Sequence, residues 1–257
     1  MPEDTSRPPP ETHAPDDAVR KQWLRRIEAE YRSAAATQHF TLWLIQLGAP
    51  PELIELGLRV VADELAHAEL CADVYREAGG RDAPSLARET LGLTRTEGEQ
   101  LEREVLRVAV EQFCLGETAA VRIFSRMRAK ATVACVRRAL DRILRDEVVH
   151  RDFGWTLLEW LLTTPMAEAF RQQLTVELPA MLQRQRDYYG GAAVARDGVE
   201  LLRAREAALA PCARAWGLIS SLEYLEAIDE TATRDYQARL AQLSLAHLAK
   251  PSDTSEP

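Results

Sequence analysis

Apolar and small residues recur three and four positions apart along most of this chain, the spacing of one helix face, and strand-like alternation is absent. Over 18–47 that face is marked by Trp23, Ile27, Ala34, Thr37 and Thr41. The run GAPP at 48–51 ends it, because Gly caps a helix and a Pro pair cannot continue one. A second helix is expected from about 51 to 78, closed by Gly79 and Gly80. The stretch 79–96 is punctuated throughout and reads as a long connection with room for one helical turn. Thr96 with Glu99 fits a capping box, which predicts a third helix from there to about Lys130. A fourth is expected over 132–162, before Thr163, Thr164 and Pro165. Further helices are predicted over 166–189 (broken near Pro179), over 197–228 with Pro211 inside, and over 229–249. The ends, 1–15 and 251–257, read as disordered tails. The expectation is an all-α fold, with a four-helix bundle over 16–165 containing one long crossover and additional C-terminal helices over 166–250 packed on it.

One pattern occurs twice. The second helix carries DELAH at 63–67 and the fourth carries DEVVH at 146–150, both of the form D-E-x-x-H. Residues three apart on a helix lie about 60° apart around the axis and about 4.5 Å along it, so a Glu oxygen and a His nitrogen can reach one metal ion. The chain has only five histidines, and two of them complete this motif. Its surroundings are apolar: Val60, Val61, Leu65 and Cys71 around the first copy, Leu140, Ile143, Leu144 and Phe153 around the second. Two-metal carboxylate sites in bundles take one further acid from each remaining helix. The third helix offers Glu111 or Glu117. Glu117 has Val110, Phe113, Cys114, Ala120, Val121 and Phe124 beside it, the neighbourhood of a buried acid, which must be paired or on a metal. The first helix offers Glu28, among Lys21, Arg25 and Arg32, or Glu30, among Trp23, Ile27, Ala34 and Thr37; Glu30 is preferred. Heights agree. Glu30 and Glu64 lie equally far from residue 47, beside the GAPP turn, and Glu117 and Glu147 equally far from residue 132. The connection between the hairpins, about 18 residues, spans about 50 Å when extended, enough to return along a bundle.

The order Glu, Glu-x-x-His, crossover, Glu, Glu-x-x-His resembles the ferritin-like di-iron carboxylate superfamily over about 18–162. The resemblance implies Glu30, Glu64, His67, Glu117, Glu147 and His150 as metal ligands, with Glu64 and Glu147 bridging two ions. Asp63 and Asp146 are similar to aspartates of bacterial multicomponent mono-oxygenases that orient a ligand His through its other ring nitrogen. The segment 146–155 also resembles the corresponding helix of cyanobacterial aldehyde-deformylating oxygenases, and GAPPEL at 48–53 with Asp63 and His67 resembles bacterial ferritin-like proteins. The implied cofactor is two Fe ions, with Mn/Fe or Mn/Mn pairs accepting the same ligands. The implied activity is that of an O2-dependent oxidase or oxygenase acting on a small organic substrate, with electrons from a separate donor protein. The alternatives are a ferroxidase, storage or peroxide-scavenging protein, and a helical interaction protein. About 90 residues beyond the fourth helix favour the enzyme, since extra helices can wall a pocket or bind a partner.

Composition narrows the classes. Net charge is −8, from 40 acids against 32 bases, which argues against nucleic acid as a partner. No apolar run reaches the roughly 18 residues of a membrane span, and no apolar stretch near the N-terminus resembles a signal peptide. Cys71, Cys114, Cys135 and Cys212 lie far apart with no C-x-x-C, which leaves a reducing cytoplasm as the expected compartment and carboxylate and imidazole as the ligand chemistry. A homodimer stays open as an assembly. His39 lies nearly opposite Glu30, His13 falls in the tail, Tyr31 points about 100° from Glu30, and Trp43, Phe113, Phe124, Cys71 and Cys114 read as core.

Overall fold

The computed structural model describes residues 14–249, and all regular structure among them is helical. The four long helices are α1 (Asp17–Leu47), α2 (Pro51–Glu77), α3 (residues 101–130) and α4 (Ala134–Leu161). Asp16 opens α1 by accepting from the Val19 amide at 2.9 Å, and Gly48 closes it in the left-handed region at φ 72°. Pro51 then occupies the first position of α2, where its missing N–H costs nothing. The two helices form an antiparallel hairpin, as do α3 and α4, and α2 packs against α4. The crossover holds one 3₁₀ turn, Arg88–Thr90, and is strapped to α1. The Ser85 amide donates to Glu28 at 2.9 Å, and the Leu93 amide donates to His39 Nδ1 at 2.9 Å.

Helix α3 departs from the sequence expectation in two ways. It begins at Leu101, and Thr96 caps nothing; the Thr96 amide instead donates to Glu104 at 2.9 Å. Its middle, Ala109–Glu117, is wound as a π-helix between the α-helical stretches Leu101–Val108 and Thr118–Lys130. There α4 comes closest: a Cβ at Gly154 would lie 2.5 Å from the Phe113 carbonyl carbon, so only glycine permits the approach. Such wide turns recur at functional sites because they displace one helix face without ending the helix.

The C-terminal part is more fragmented than its periodicity suggests. Helix α5 (Ala167–Arg186) runs unbroken through Pro179, held by Leu174, Leu178 and Met181 in the core. Short helices follow: α6 (Ala192–Asp197), α7 (Val199–Ala207) and α8 (Pro211–Ala215). The last α-helix among the described residues, α9 (residues 221–242), bridges the break expected near 228 and starts at a true capping box of Ser220 and Glu223. This region is tied to the long helices by buried bonds: Trp23 Nε1 donates to the Trp216 carbonyl at 3.1 Å, and Tyr236 Oη donates to the Leu115 carbonyl at 2.7 Å. The expected tails and His13 lie outside the described residues, except for Ala14 and Pro15, which precede α1.

Two apolar clusters fill the interior. One contains Phe40, Trp43, Val60, Phe113, Phe153 and Leu157; the other contains Trp23, Ile27, Cys71, Ile123, Met127, Leu140 and Ile143. Along each long helix the change from one cluster to the other comes at the predicted acid: between Ile27 and Phe40, Val60 and Cys71, Phe113 and Ile123, Ile143 and Phe153. A polar layer therefore crosses the four helices at one level.

Candidate metal centre

That layer consists of Glu30, Glu64, His67, Glu117, Glu147 and His150. Glu64, Glu117, Glu147 and His150 each present one ligand atom within 4.8 Å of the others, and so do Glu30, Glu64 and His67. Glu64 is common to both groups. Both histidine rings are fully buried, with centroids 5.5 Å apart. His67 Nδ1 faces Glu64 at 3.7 Å, Glu147 at 3.7 Å and Glu30 at 4.0 Å. His150 Nδ1 faces Glu64 at 3.5 Å and Glu147 at 3.7 Å. Glu64 and Glu147 thus each lie against both imidazoles. Glu117, expected as the buried acid of its helix, keeps partial exposure.

The acids set aside on sequence lie elsewhere. Glu111 is held outside by Arg184 at 2.6 and 2.9 Å, and Glu28 by the crossover. Trp43, Phe113, Phe124, Cys71 and Cys114 are buried, and Phe113 stacks on Phe40 at 4.9 Å and meets Phe153 edge-on at 5.3 Å, forming one wall beside the layer.

The aspartates before each motif reach across the hairpins. Asp146, on α4, accepts from His67 Nε2, on α2, at 3.1 Å; Asp63, on α2, lies 3.6 Å from His150 Nε2, on α4. Burial works against the Asp146 charge, but hydrogen bonds from Arg142 and His67 outweigh it and hold the carboxyl below its usual range. Being ionised, Asp146 can only accept, so Nε2 of His67 carries a proton, and Nδ1 is the nitrogen that faces the carboxylates.

The remaining electrostatics are unfavourable for a dry cluster. Burial, followed by the Glu64 charge, raises Glu30 well above the carboxylate range; burial with Glu147 and Glu64 does the same to Glu117. Glu147 is pushed up to about 7 by burial and the Glu64 charge. Glu64 alone is held low, because the two histidines outweigh its burial. Glu64 Oε2, Glu147 Oε2, His67 Nδ1 and both His150 nitrogens are buried without a hydrogen-bond partner. Native interiors leave few such atoms, and each unmatched group costs about 1–3 kcal/mol. All but His150 Nε2, which faces Asp63, turn into the layer, and two divalent cations would satisfy these inward-facing atoms at once. The Cys71 thiol is driven upward by burial and the Glu30 charge, so it stays protonated and is no competing thiolate ligand.

Three features went unread in the sequence. The π-helical stretch has no sequence signature. Arg142 lies 2.6 Å from Asp146 and 3.3 Å from Asp63, and Arg59 lies 3.5 Å from Asp63. Both arginines stand four residues before the aspartate of their motif, so the duplication extends to R-x-x-x-D-E-x-x-H, and that spacing was the available signal. The third is a C-terminal lining. Arg26, one turn before Glu30, donates to Tyr224 at 2.8 Å, Tyr224 stacks on Tyr189 at 6.4 Å, and burial raises the Tyr189 phenol well above its ordinary value, with the Glu117 and Glu147 charges adding.

Compared with family models, curated proteins and solved structures, the chain matches none. No helix among the described residues is long and apolar enough to cross a membrane.

Proposed function

We propose that this chain is a ferritin-like di-iron oxidase or oxygenase that uses O2 to oxidise a small organic substrate. The observation that carries the reading is the pair of ligand groups sharing Glu64, drawn from four helices and lined with buried, unpaired polar atoms. Glu64 and Glu147, each against both histidines, would bridge two ions; Glu30 with His67 and Glu117 with His150 would complete one ion each. Carboxylate and imidazole donors with no thiolate suit iron or manganese. When bound, two Fe(II) ions supply electrons to O2 that no side chain can provide.

The protein's own part is to bind and orient. Asp146 keeps the proton on Nε2 of His67 and frees Nδ1 for the ion. Three carboxyls that ionise reluctantly give up protons as ions enter, which couples metal uptake to proton release. The apolar clusters above and below keep water from the layer. Tyr189 and Tyr224 place the C-terminal region against the layer's edge, which supports a role for those helices in walling a substrate space. Electrons for an oxygenase would come from a separate donor protein.

The test is an O2 pulse on chain loaded anaerobically with two Fe(II), in the presence of aldehydes, amines or fatty acyl compounds in turn. An oxidised organic product formed in proportion to O2 consumed supports the reading. Uptake of O2 with no organic product, and accumulation of many Fe(III) per chain on repeated addition, would instead mean a ferroxidase.

A further inference from the structure

We propose that Arg142 is a positioning residue that orients both histidines of the centre through a single guanidinium, so that both ion positions depend on it; this rests on the two-metal reading above. Each histidine faces an aspartate from the opposite helix: His67 Nε2 is hydrogen-bonded to Asp146 at 3.1 Å, and His150 Nε2 lies 3.6 Å from Asp63. One side chain joins these two arms. Arg142 Nε donates to Asp146 Oδ2 at 2.6 Å, the same oxygen that accepts from His67 Nε2, and Arg142 Nη2 donates to Asp63 Oδ1 at 3.3 Å. The planar fork of arginine can hold two carboxylates at fixed angles, where an ammonium acts as a point charge. Arg59 occupies the equivalent place in the first motif, yet it approaches Asp63 alone, at 3.5 Å. The duplicated sequence has thus produced an asymmetric device: two equivalent arginines, of which one spans both arms.

The position of this clasp matters. The aspartate side chains are only 11% and 8% exposed, whereas Arg142 is 45% exposed. The guanidinium therefore closes the outer side of the α2–α4 contact and touches none of the six ligands directly. A surface ion pair of this kind contributes little to folding. Its consequence lies in the two carboxylates it aims, because an aspartate free to turn no longer fixes the ring behind which it stands.

The sign of the effect separates positioning from simple charge. Removing a cation near a metal centre makes the surroundings more negative, which by Coulomb's law tightens metal binding. Losing histidine orientation loosens it. Co(II) titrated into the metal-free full chain, followed by equilibrium dialysis and by its visible absorption, reads both the affinity and the ligand field. Wild type should bind two equivalents. Arg142→Gln should weaken both by about 10–100-fold, the range for lost partners of ligand histidines, with an altered Co(II) band. Arg142→Lys should recover part of the affinity, and Arg59→Gln should change it less than about 3-fold, the little that one long contact to a single aspartate contributes. Urea midpoints of the metal-free proteins should agree closely across the set. Unchanged or tighter binding by Arg142→Gln, or an equal loss in Arg59→Gln, overturns the clasp while leaving the metal centre standing. Wild type that binds no metal overturns the two-metal reading and this inference with it.

Discussion

The metal-free protein should lose stability as pH rises from 5.5 to 8. The carboxyl of Glu147 ionises at about 7 in the fold, against an ordinary value of 4.5. Between those values the folded chain keeps a proton that the unfolded chain has already released, so stability falls with rising pH. The part of that difference lying between pH 5.5 and 7 corresponds to about 2 kcal/mol. For a chain of this size each kcal/mol moves the melting temperature by roughly 2–4 °C, which predicts a drop of roughly 4–8 °C. Other groups act in the same sense or not at all in this window. Glu30 and Glu117 are also raised. His67 is raised too, because Glu64 and Glu147 overcome its burial, so its contribution is present below 6.5 and fades as pH climbs through its folded value. Glu64 and Asp146 are held low and have delivered their contribution above 4.5 and 3.8. Urea unfolding of the chelator-treated protein at several pH values measures the slope, and Glu147→Gln, which has no proton to lose, should make it shallower. Added Mn(II) should stabilise more at pH 8 than at 5.5, since ions replace the retained protons. Metal-free wild type as stable at pH 8 as at 5.5 would refute the reasoning.

Three other outcomes follow from the geometry. His150→Ala or Glu117→Ala should lower bound metal from two to one per chain by elemental analysis while leaving the helical circular dichroism intact. Gly154→Ala places a Cβ 2.5 Å from the Phe113 carbonyl carbon, so α4 must move off the π-helical stretch; the cost should be about 1–3 kcal/mol by urea titration. Tyr236→Phe removes a buried donor to the Leu115 carbonyl and should cost about 0.5–1.5 kcal/mol in the same assay.

Much of this arrangement is legible in the sequence because helix periodicity and a duplicated five-residue motif are both local. Trp23, Ile27 and Thr37 mark the inner face of α1, and Glu30 lies on it. Equal distances from the turns place four acids at one height, and the structure brings those same acids together with both histidines. What the sequence hid is set by contacts between elements. The π-helical winding of 109–117 answers the approach of Gly154, a residue 40 positions away in the case of Cys114. The crosswise pairing of Asp63 with His150 and Asp146 with His67 depends on how α2 faces α4, which no single helix encodes. Pro179 predicts a break, although tertiary packing of Leu178 and Met181 carries the helix through. The capping box at Ser220 is legible as S-x-x-E within a run of good helix formers, whereas Thr96 offers the same kind of signal and forms no cap.

The central claim is that the polar layer is a two-metal centre, and the most direct measurement is the metal retained per chain. The full-length protein is stripped, offered excess Fe(II) without oxygen, exposed to air, desalted and analysed for iron. Two irons per chain is the predicted result. Retention of none, with Mn(II) also failing to bind, would contradict it.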